Sequence, residues 1–145
     1  MRIKLIKGLS WVKASDFLPK EYEHVLLMTG HGTVQNQIYY LDSLDEKTRV
    51  WQDGAGYDDP ISISLNDQWR LLPSPQDSAW IAISSKRPKY GIPVLLCNHL
   101  GVVQKVTFHR DGGDDEADWW QDTAEVEDPI QIHHDDRWMP LPTKD

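Results

Sequence analysis

The chain has 145 residues and a formal net charge of −8, and 39% of its residues are hydrophobic. A mean hydropathy of −0.56 leaves no stretch of about 20 apolar residues, which a membrane-spanning helix requires. The negative charge disfavours direct nucleic-acid binding, because phosphates are neutralised by Lys and Arg.

Residues 1–10 predict a short edge strand, since Arg2 and Lys4 alternate there with Ile3 and Leu5. The same stretch has no apolar run long enough for a signal peptide. The single cysteine, Cys97, excludes an internal disulfide and suits a reducing compartment. We therefore expect a cytoplasmic protein.

From Trp11 onward the chain is a tandem duplication with an offset of 69 residues. The segment 11–73 aligns with 80–142 without a gap, and 24 of the 63 aligned positions are identical. We call these segments repeat 1 and repeat 2, and 74–79 the linker. Because the identities fall mostly on Trp, Pro, Gly and aliphatic residues, they indicate that the duplication preserves a fold.

Each repeat is typical of a small antiparallel β-sheet. The apolar runs 25–29 and 94–98 predict buried strands, and Gly32 and Gly101 suit the positive-φ position of the following turn. The returning segments 34–41 and 103–110 alternate imperfectly, which indicates a bulge or burial on both faces.

The later part of each repeat continues the β pattern. Residues 61–65 have the period of a half-buried strand. Three Trp pairs are expected in the core, namely 11/80, 51/120 and 69/138. We predict a mainly β fold, all-β or β with short helical turns, in which two repeat units pack as a pseudo-twofold pair.

The repeat motifs resemble a phage- and prophage-associated family, domain of unknown function 551, whose closing motif is H-W-M-P-L-P. In repeat 2 the match is carried by Trp80-Ile81, Pro88, 94–96, 101–103 and 138–142. In repeat 1 it is carried by Trp11-Val12, Leu18-Pro19, 25–27, Gly32, Trp69 and Leu72-Pro73. The resemblance implies a phage or prophage protein that binds a host protein. The family's His before the closing Trp is replaced by Gln68 and Arg137.

Nothing in the sequence predicts an enzyme. Cys97 aligns with Met28 and is expected in the core rather than as a nucleophile. The pairs Asp53/Asp122 and Asp67/Asp136 are more typical of turn formers than of catalytic carboxylates. Nucleophile-elbow, phosphate-loop and dinucleotide motifs are absent from the sequence.

The run His133-His134-Asp135-Asp136 is the nearest approach to a metal motif. By alignment with Ser64-Leu65, the two His residues are expected on a strand, where neighbours point to opposite faces. In that geometry they could not bind one ion, and His134 is expected to be a half-buried imidazole. We therefore predict no metal and no cofactor.

The two halves differ most in charge. Residues 1–73 hold 8 basic and 10 acidic residues, whereas residues 74–145 hold 7 and 13. The acidic run has no Lys or Arg between Asp111 and Asp136, so it is either a solvated loop or a binding surface. Trp119, which aligns with Val50, is either an interface anchor or a cover for apolar surface. The candidate partner-binding residues are Asp111, Asp114, Asp115, Glu116, Asp118, Trp119, Glu125, Glu127 and Asp128.

The leading hypothesis is a non-enzymatic acidic module that occupies a basic surface of a host nucleic-acid-processing or defence protein. Three alternatives stay open: an immunity protein against a nuclease toxin, a small-ligand site in a cleft between the repeats, and a structural virion component. The sequence leaves the oligomeric state undecided.

Repeat 1 expressed alone, as residues 1–74, is expected to be largely unfolded. A unit of about 60 to 65 residues has a marginal core and would gain from burying apolar surface against its neighbour. Circular dichroism during heating measures this, and a sharp cooperative melt of the fragment would contradict a shared core.

Overall fold

The computed structural model describes residues 10–56, 58–112 and 118–143, so the strand expected for residues 1–10 lies almost entirely outside the described residues. Within those ranges the chain forms two six-stranded antiparallel sheets and no helix, which confirms the β fold class. The strands are β1 (Val12–Lys13), β2 (His24–Met28), β3 (Tyr39–Ser43), β4 (Arg49–Asp53), β5 (Ile61–Ser62), β6 (Gln68–Leu71), β7 (Ile81–Ala82), β8 (Val94–Cys97), β9 (Phe108–Asp111), β10 (Trp119–Asp122), β11 (Ile130–Gln131) and β12 (Arg137–Pro140).

The two sheets have the same topology. The first runs in the order β1-β6-β2-β3-β4-β5, and the second runs β7-β12-β8-β9-β10-β11. The register is also shared: Leu27 pairs with Trp69, and 69 residues later Leu96 pairs with Trp138. The closing Trp segment of each repeat is thus an interior strand of its sheet, between the first two strands of that repeat.

Each compact unit contains one sequence repeat except its last Pro, together with neighbouring segments. One unit is Met1–Leu72 with Pro142–Asp145, and the other is Pro73–Leu141. In the first unit, the Trp11 indole N–H donates to the carbonyl of Thr143 at 3.1 Å. In the second, Trp80 donates to the carbonyl of Ser74 at 2.7 Å. The predicted linker is therefore an integral part of the second unit.

Each sheet has its own apolar core. Trp51 and Trp120 are fully buried at the centres of the two clusters, each of which is built from one repeat. Cys97 is 0% exposed, which confirms its expected place in the core. Trp11 is only half-buried, under the guanidinium of Arg70. The expectation that all six paired Trp residues are core is therefore wrong for Trp11.

Two predicted strands are shorter than expected. Residue 34 forms only an isolated bridge to Met28, and regular pairing resumes at Tyr39, which explains the broken alternation of 34–41. The predicted strand 61–65 ends at Ser62, and Leu65 is 71% exposed because the chain turns there. Gly32 and Gly101 have φ values of 86° and 80°, as the turn pattern predicted.

Truncation after Leu141 is expected to loosen the first unit, because the truncated chain lacks the carbonyl of Thr143 that accepts the Trp11 N–H. Loss of this exposed hydrogen bond should lower local stability by up to about 1 kcal/mol. Amide hydrogen exchange of β1 and β6 would report it, with β7 and β12 unchanged. The substitution Thr143→Ala keeps the carbonyl and is the control; equal loosening by Thr143→Ala would exclude this bond as the cause.

Candidate functional site

A buried carboxylate organises each unit. The carboxylate of Asp136 is 3% exposed and accepts the indole N–H of Trp120 at 3.0 Å. It also accepts the backbone N–H groups of His99 and His133, both at 2.8 Å. Both oxygens thus accept N–H groups of the fold itself, which gives this carboxylate a structural role.

Asp67 has the same role in the first unit. Its carboxylate accepts the indole N–H of Trp51 at 2.9 Å and the backbone N–H groups of Gly30 and Ser64 at 3.0 and 2.8 Å. This agrees with the turn-forming role expected for the paired Asp residues.

The second Asp pair holds another turn. Asp122 is buried and accepts the backbone N–H groups of Val126 and Glu127 at 3.0 and 3.2 Å. Its repeat-1 counterpart, Asp53, accepts the backbone N–H of Asp58 at 3.0 Å. In both units the carboxylate fixes the loop that connects the fourth and fifth strands of the sheet.

Asp118 is neutralised within its own unit. One carboxylate oxygen accepts the Nε–H of Arg110 at 2.7 Å, and the other is ion-paired with Arg87. The Arg110 guanidinium also lies 4.0 Å from the centre of the Tyr90 ring. The hydrogen bond to Asp118 raises the pKa of Arg110 above its ordinary value. The acidic run itself contains no Lys or Arg, but two Arg residues that precede it in the sequence neutralise the carboxylate of Asp118. The expectation that no basic residue compensates this loop is therefore wrong at Asp118.

The remaining sequence candidates lie at different places. Asp114, Asp115 and Glu116 lie outside the described residues, and Asp111 is exposed at the end of β9. A third group gathers around β10, β11 and their connecting turn. We call this surface the β10–β11 rim, and its members are Trp119, Glu125, Val126, Glu127, Asp128 and Ile130.

The rim exposes apolar and acidic side chains together. Trp119, Val126 and Ile130 are 37%, 45% and 47% exposed. The comparison of the two repeats identified Trp119 but missed Val126 and Ile130. Ile130 was missed because it aligns with Ile61, which packs against the core of repeat 1. For the carboxylates of Glu125, Glu127 and Asp128, the described part of the chain provides no hydrogen bond or ion pair.

The rim lies at the edge of its sheet that is formed by β11. Trp119 pairs with Gln131 and Trp120 pairs with Ile130, so Trp119 and Ile130 point to opposite faces. Trp119 also faces away from its neighbour Trp120, which is fully buried. The rim therefore has an apolar side chain on each face and the carboxylates in the turn between them.

Repeat 1 does not reproduce this surface. Its residue at the position of Trp119 is Val50, which is 6% exposed, and Ile61 packs against the core where Ile130 is exposed. Glu125 stands where repeat 1 has Gly56, and the two have positive φ values of 56° and 69°. A non-glycine residue in this conformation costs about 1 kcal/mol.

The histidine run is placed differently from its prediction. β11 ends at Gln131, and His133 and His134 lie in a turn rather than on a strand. The His134 side chain is 79% exposed, so its interpretation as a half-buried imidazole is wrong. The physical reason is that the backbone N–H of His133 donates to the Asp136 carboxylate, and this bond takes the place of pairing with a neighbouring strand.

Each unit also contains a groove beside its closing Trp, which the sequence patterns did not indicate. The groove at Trp69 has a volume of about 290 Å³, and the groove at Trp138 has about 210 Å³. The second is lined by three basic residues, namely Lys86, Arg87 and Lys89. Arg87 is ion-paired with Asp118, which reduces the charge available there.

Comparison of the chain with protein-family models, curated proteins and solved structures found no match. In the part of the chain that the structure describes, there is no helix long and apolar enough to cross a membrane.

Substituting Asp136→Asn is expected to lower the free energy of unfolding by about 2 to 3 kcal/mol. Both oxygens accept N–H groups, so in either orientation the new amide places its own N–H against a donor. Urea denaturation measures the change. The exposed neighbour Asp135→Asn is the control and should change stability by less than about 0.5 kcal/mol. Equal stability of the two variants would contradict the role of Asp136.

Proposed function

We propose that the protein is a non-enzymatic binding protein whose β10–β11 rim inserts into a basic groove of a partner protein. The observation that carries this proposal is the exposure of Trp119, Val126 and Ile130 beside three carboxylates that have no partner among the described residues. Exposed aromatic and aliphatic anchors with charges around them are typical of protein interfaces.

The shape of the rim favours a groove over a flat surface. Trp119 and Ile130 point to opposite faces of the sheet edge, so a single flat partner could cover only one of them. A groove with two walls could contact both. The turn between the strands would then place Glu125, Glu127 and Asp128 toward the floor of the groove.

The charge of the rim favours a groove that normally binds phosphate. Carboxylates that enter such a groove compete with nucleic acid and accelerate association by electrostatic steering. A nucleic-acid-processing or defence enzyme of the host is therefore the partner class we propose, in agreement with the phage resemblance. An immunity protein against a nuclease toxin would use the same chemistry. Asp118 is left out of this proposal because its carboxylate is already ion-paired.

Glu125 supports a role in binding rather than in stability. Its left-handed backbone conformation suits glycine, and repeat 1 has Gly56 at the same position. The backbone N–H of Glu125 donates to the carbonyl of Asp122, a bond that glycine would also make, whereas its carboxylate has no partner among the residues described. The charged side chain therefore adds nothing to the stability of the fold in return for the strain. It does project a carboxylate from the tip of the rim.

The proposal is tested first by capture of a partner. Immobilised full-length protein is incubated with bacterial lysate, and the retained protein is released with excess double-stranded DNA or with salt above about 0.5 M. Release by both agents is expected, because DNA and the rim would occupy the same basic groove. Retention that is indifferent to DNA would contradict the proposed partner class.

Rim variants then test the surface itself. Glu125→Gly combined with Glu127→Gln and Asp128→Asn is expected to slow association about tenfold at low salt. Trp119→Val, which installs the repeat-1 residue, should speed dissociation about tenfold or more. Surface plasmon resonance measures both rates.

Two controls separate binding from folding. Glu125→Gly alone should raise the free energy of unfolding by up to about 1 kcal/mol while it weakens binding, because glycine relieves the strain. Asp58→Asn with Asp59→Asn changes the equivalent turn of repeat 1 and should leave the partner's affinity unchanged. Unaltered affinity in all the rim variants would refute the proposed surface.

A further inference from the structure

One buried carboxylate of the second unit holds together two turns that carry three histidines. The Asp136 carboxylate accepts the backbone N–H groups of His99 and His133, and so fixes two separate turns side by side. The rings of His99 and His133 stack with centroids 3.9 Å apart, and those of His133 and His134 lie 4.6 Å apart. Neighbouring imidazoles are therefore a consequence of how this unit folds.

The same turn brings three ligand-bearing side chains within reach of one ion. One ligand atom from each of His133, His134 and Asp135 lies within 4.8 Å of the other two. Bonds of about 2.0 to 2.2 Å to a common ion require somewhat shorter separations. The His134 and Asp135 side chains are 79% and 66% exposed, so they can rotate to close the gap.

We propose that His133, His134 and Asp135 bind one divalent transition-metal ion of the zinc, cobalt or nickel class. Two imidazole nitrogens and one carboxylate oxygen are ligands that these ions prefer, and three protein ligands leave further positions for water. The Nδ1 atom of His133 already accepts the backbone N–H of Asp135 at 3.1 Å. Metal binding at this atom exchanges that one hydrogen bond for a metal bond.

Repeat 1 supplies an internal comparison. The residues that stand in place of His99, His133, His134 and Asp135 are Gly30, Ser64, Leu65 and Asn66. None of these four offers an imidazole or a carboxylate, although the turn is held by Asp67 in the same way. The ligand set is thus an addition of repeat 2 to a turn that folds without it.

The test is titration of the full chain with Zn²⁺ by calorimetry and with Co²⁺ by visible absorption. We expect saturation at one ion per chain and a Co²⁺ spectrum of nitrogen and oxygen ligation. The variant His133→Ser with His134→Leu carries the repeat-1 residues and should keep its fold. Its metal affinity should fall at least about tenfold, as should that of Asp135→Asn.

Two variants that change histidines elsewhere are the controls. His109→Tyr and His31→Leu each install the residue of the other repeat and leave the cluster untouched, so both should bind the ion as the parent chain does. The proposal is overturned if the parent chain is not saturated by about 1 mM Zn²⁺, because the dissociation constant would then be millimolar or weaker. Equal affinity of the His133→Ser, His134→Leu variant would overturn it as well.

Discussion

Each unit depends on the hydrogen bonds that one buried carboxylate accepts, which is Asp67 in the first unit and Asp136 in the second. A buried carboxylate loses its hydration, and this loss is tolerated only where N–H donors replace the water. Here the donors are one indole and two backbone amides. The indole belongs to Trp120, which is fully buried and itself needs an acceptor. Tryptophan and aspartate therefore satisfy each other at the core, and the two amides fix the turns around them.

The sequence predicted the parts of this arrangement that depend on local pattern. The apolar runs predicted at 25–29 and 94–98 form strands as far as Met28 and Cys97, where burial is continuous, and Gly32 and Gly101 have the positive φ that the turn requires. The duplication predicted that two like units exist, and the shared strand order and register confirm it.

The failures come from side-chain contacts that the pattern of apolar and polar residues does not report. Nothing in the acidic run indicates that Asp118 is paired with Arg87, which lies 31 residues away. The strand expected at 133–134 is lost because the Asp136 carboxylate binds the His133 amide, and no alternation of side chains reports such a bond. The closing Trp segments, β6 and β12, are interior strands of their sheets. An alignment of the repeats shows that they are equivalent but does not give the order of the strands.

The shared contacts explain why the two units could diverge in their surfaces. Each organising carboxylate binds backbone N–H groups, and backbone groups are supplied by almost any residue. Gly30 and His99 therefore donate to their carboxylates equally well, as do Ser64 and His133. A turn that is held through its backbone can change its side chains at small cost to stability. Repeat 2 uses this freedom at the histidine turn and at the rim.

A buried carboxylate likewise holds the turn of the rim, the surface that we propose for binding. Asp122 accepts the backbone N–H groups of Val126 and Glu127, so the turn that displays the acidic side chains is held by a buried anchor. Among the acidic residues that the structure describes here, Asp118 is paired with Arg110 and Arg87, whereas the carboxylates of the turn have no such partner in the described ranges. A surface that is already ordered loses less conformational freedom when a partner binds, and more of the contact energy then appears as affinity. A rim with an anchored turn, carboxylates in that turn and an apolar group on each face therefore suits the narrow groove that we propose for its partner.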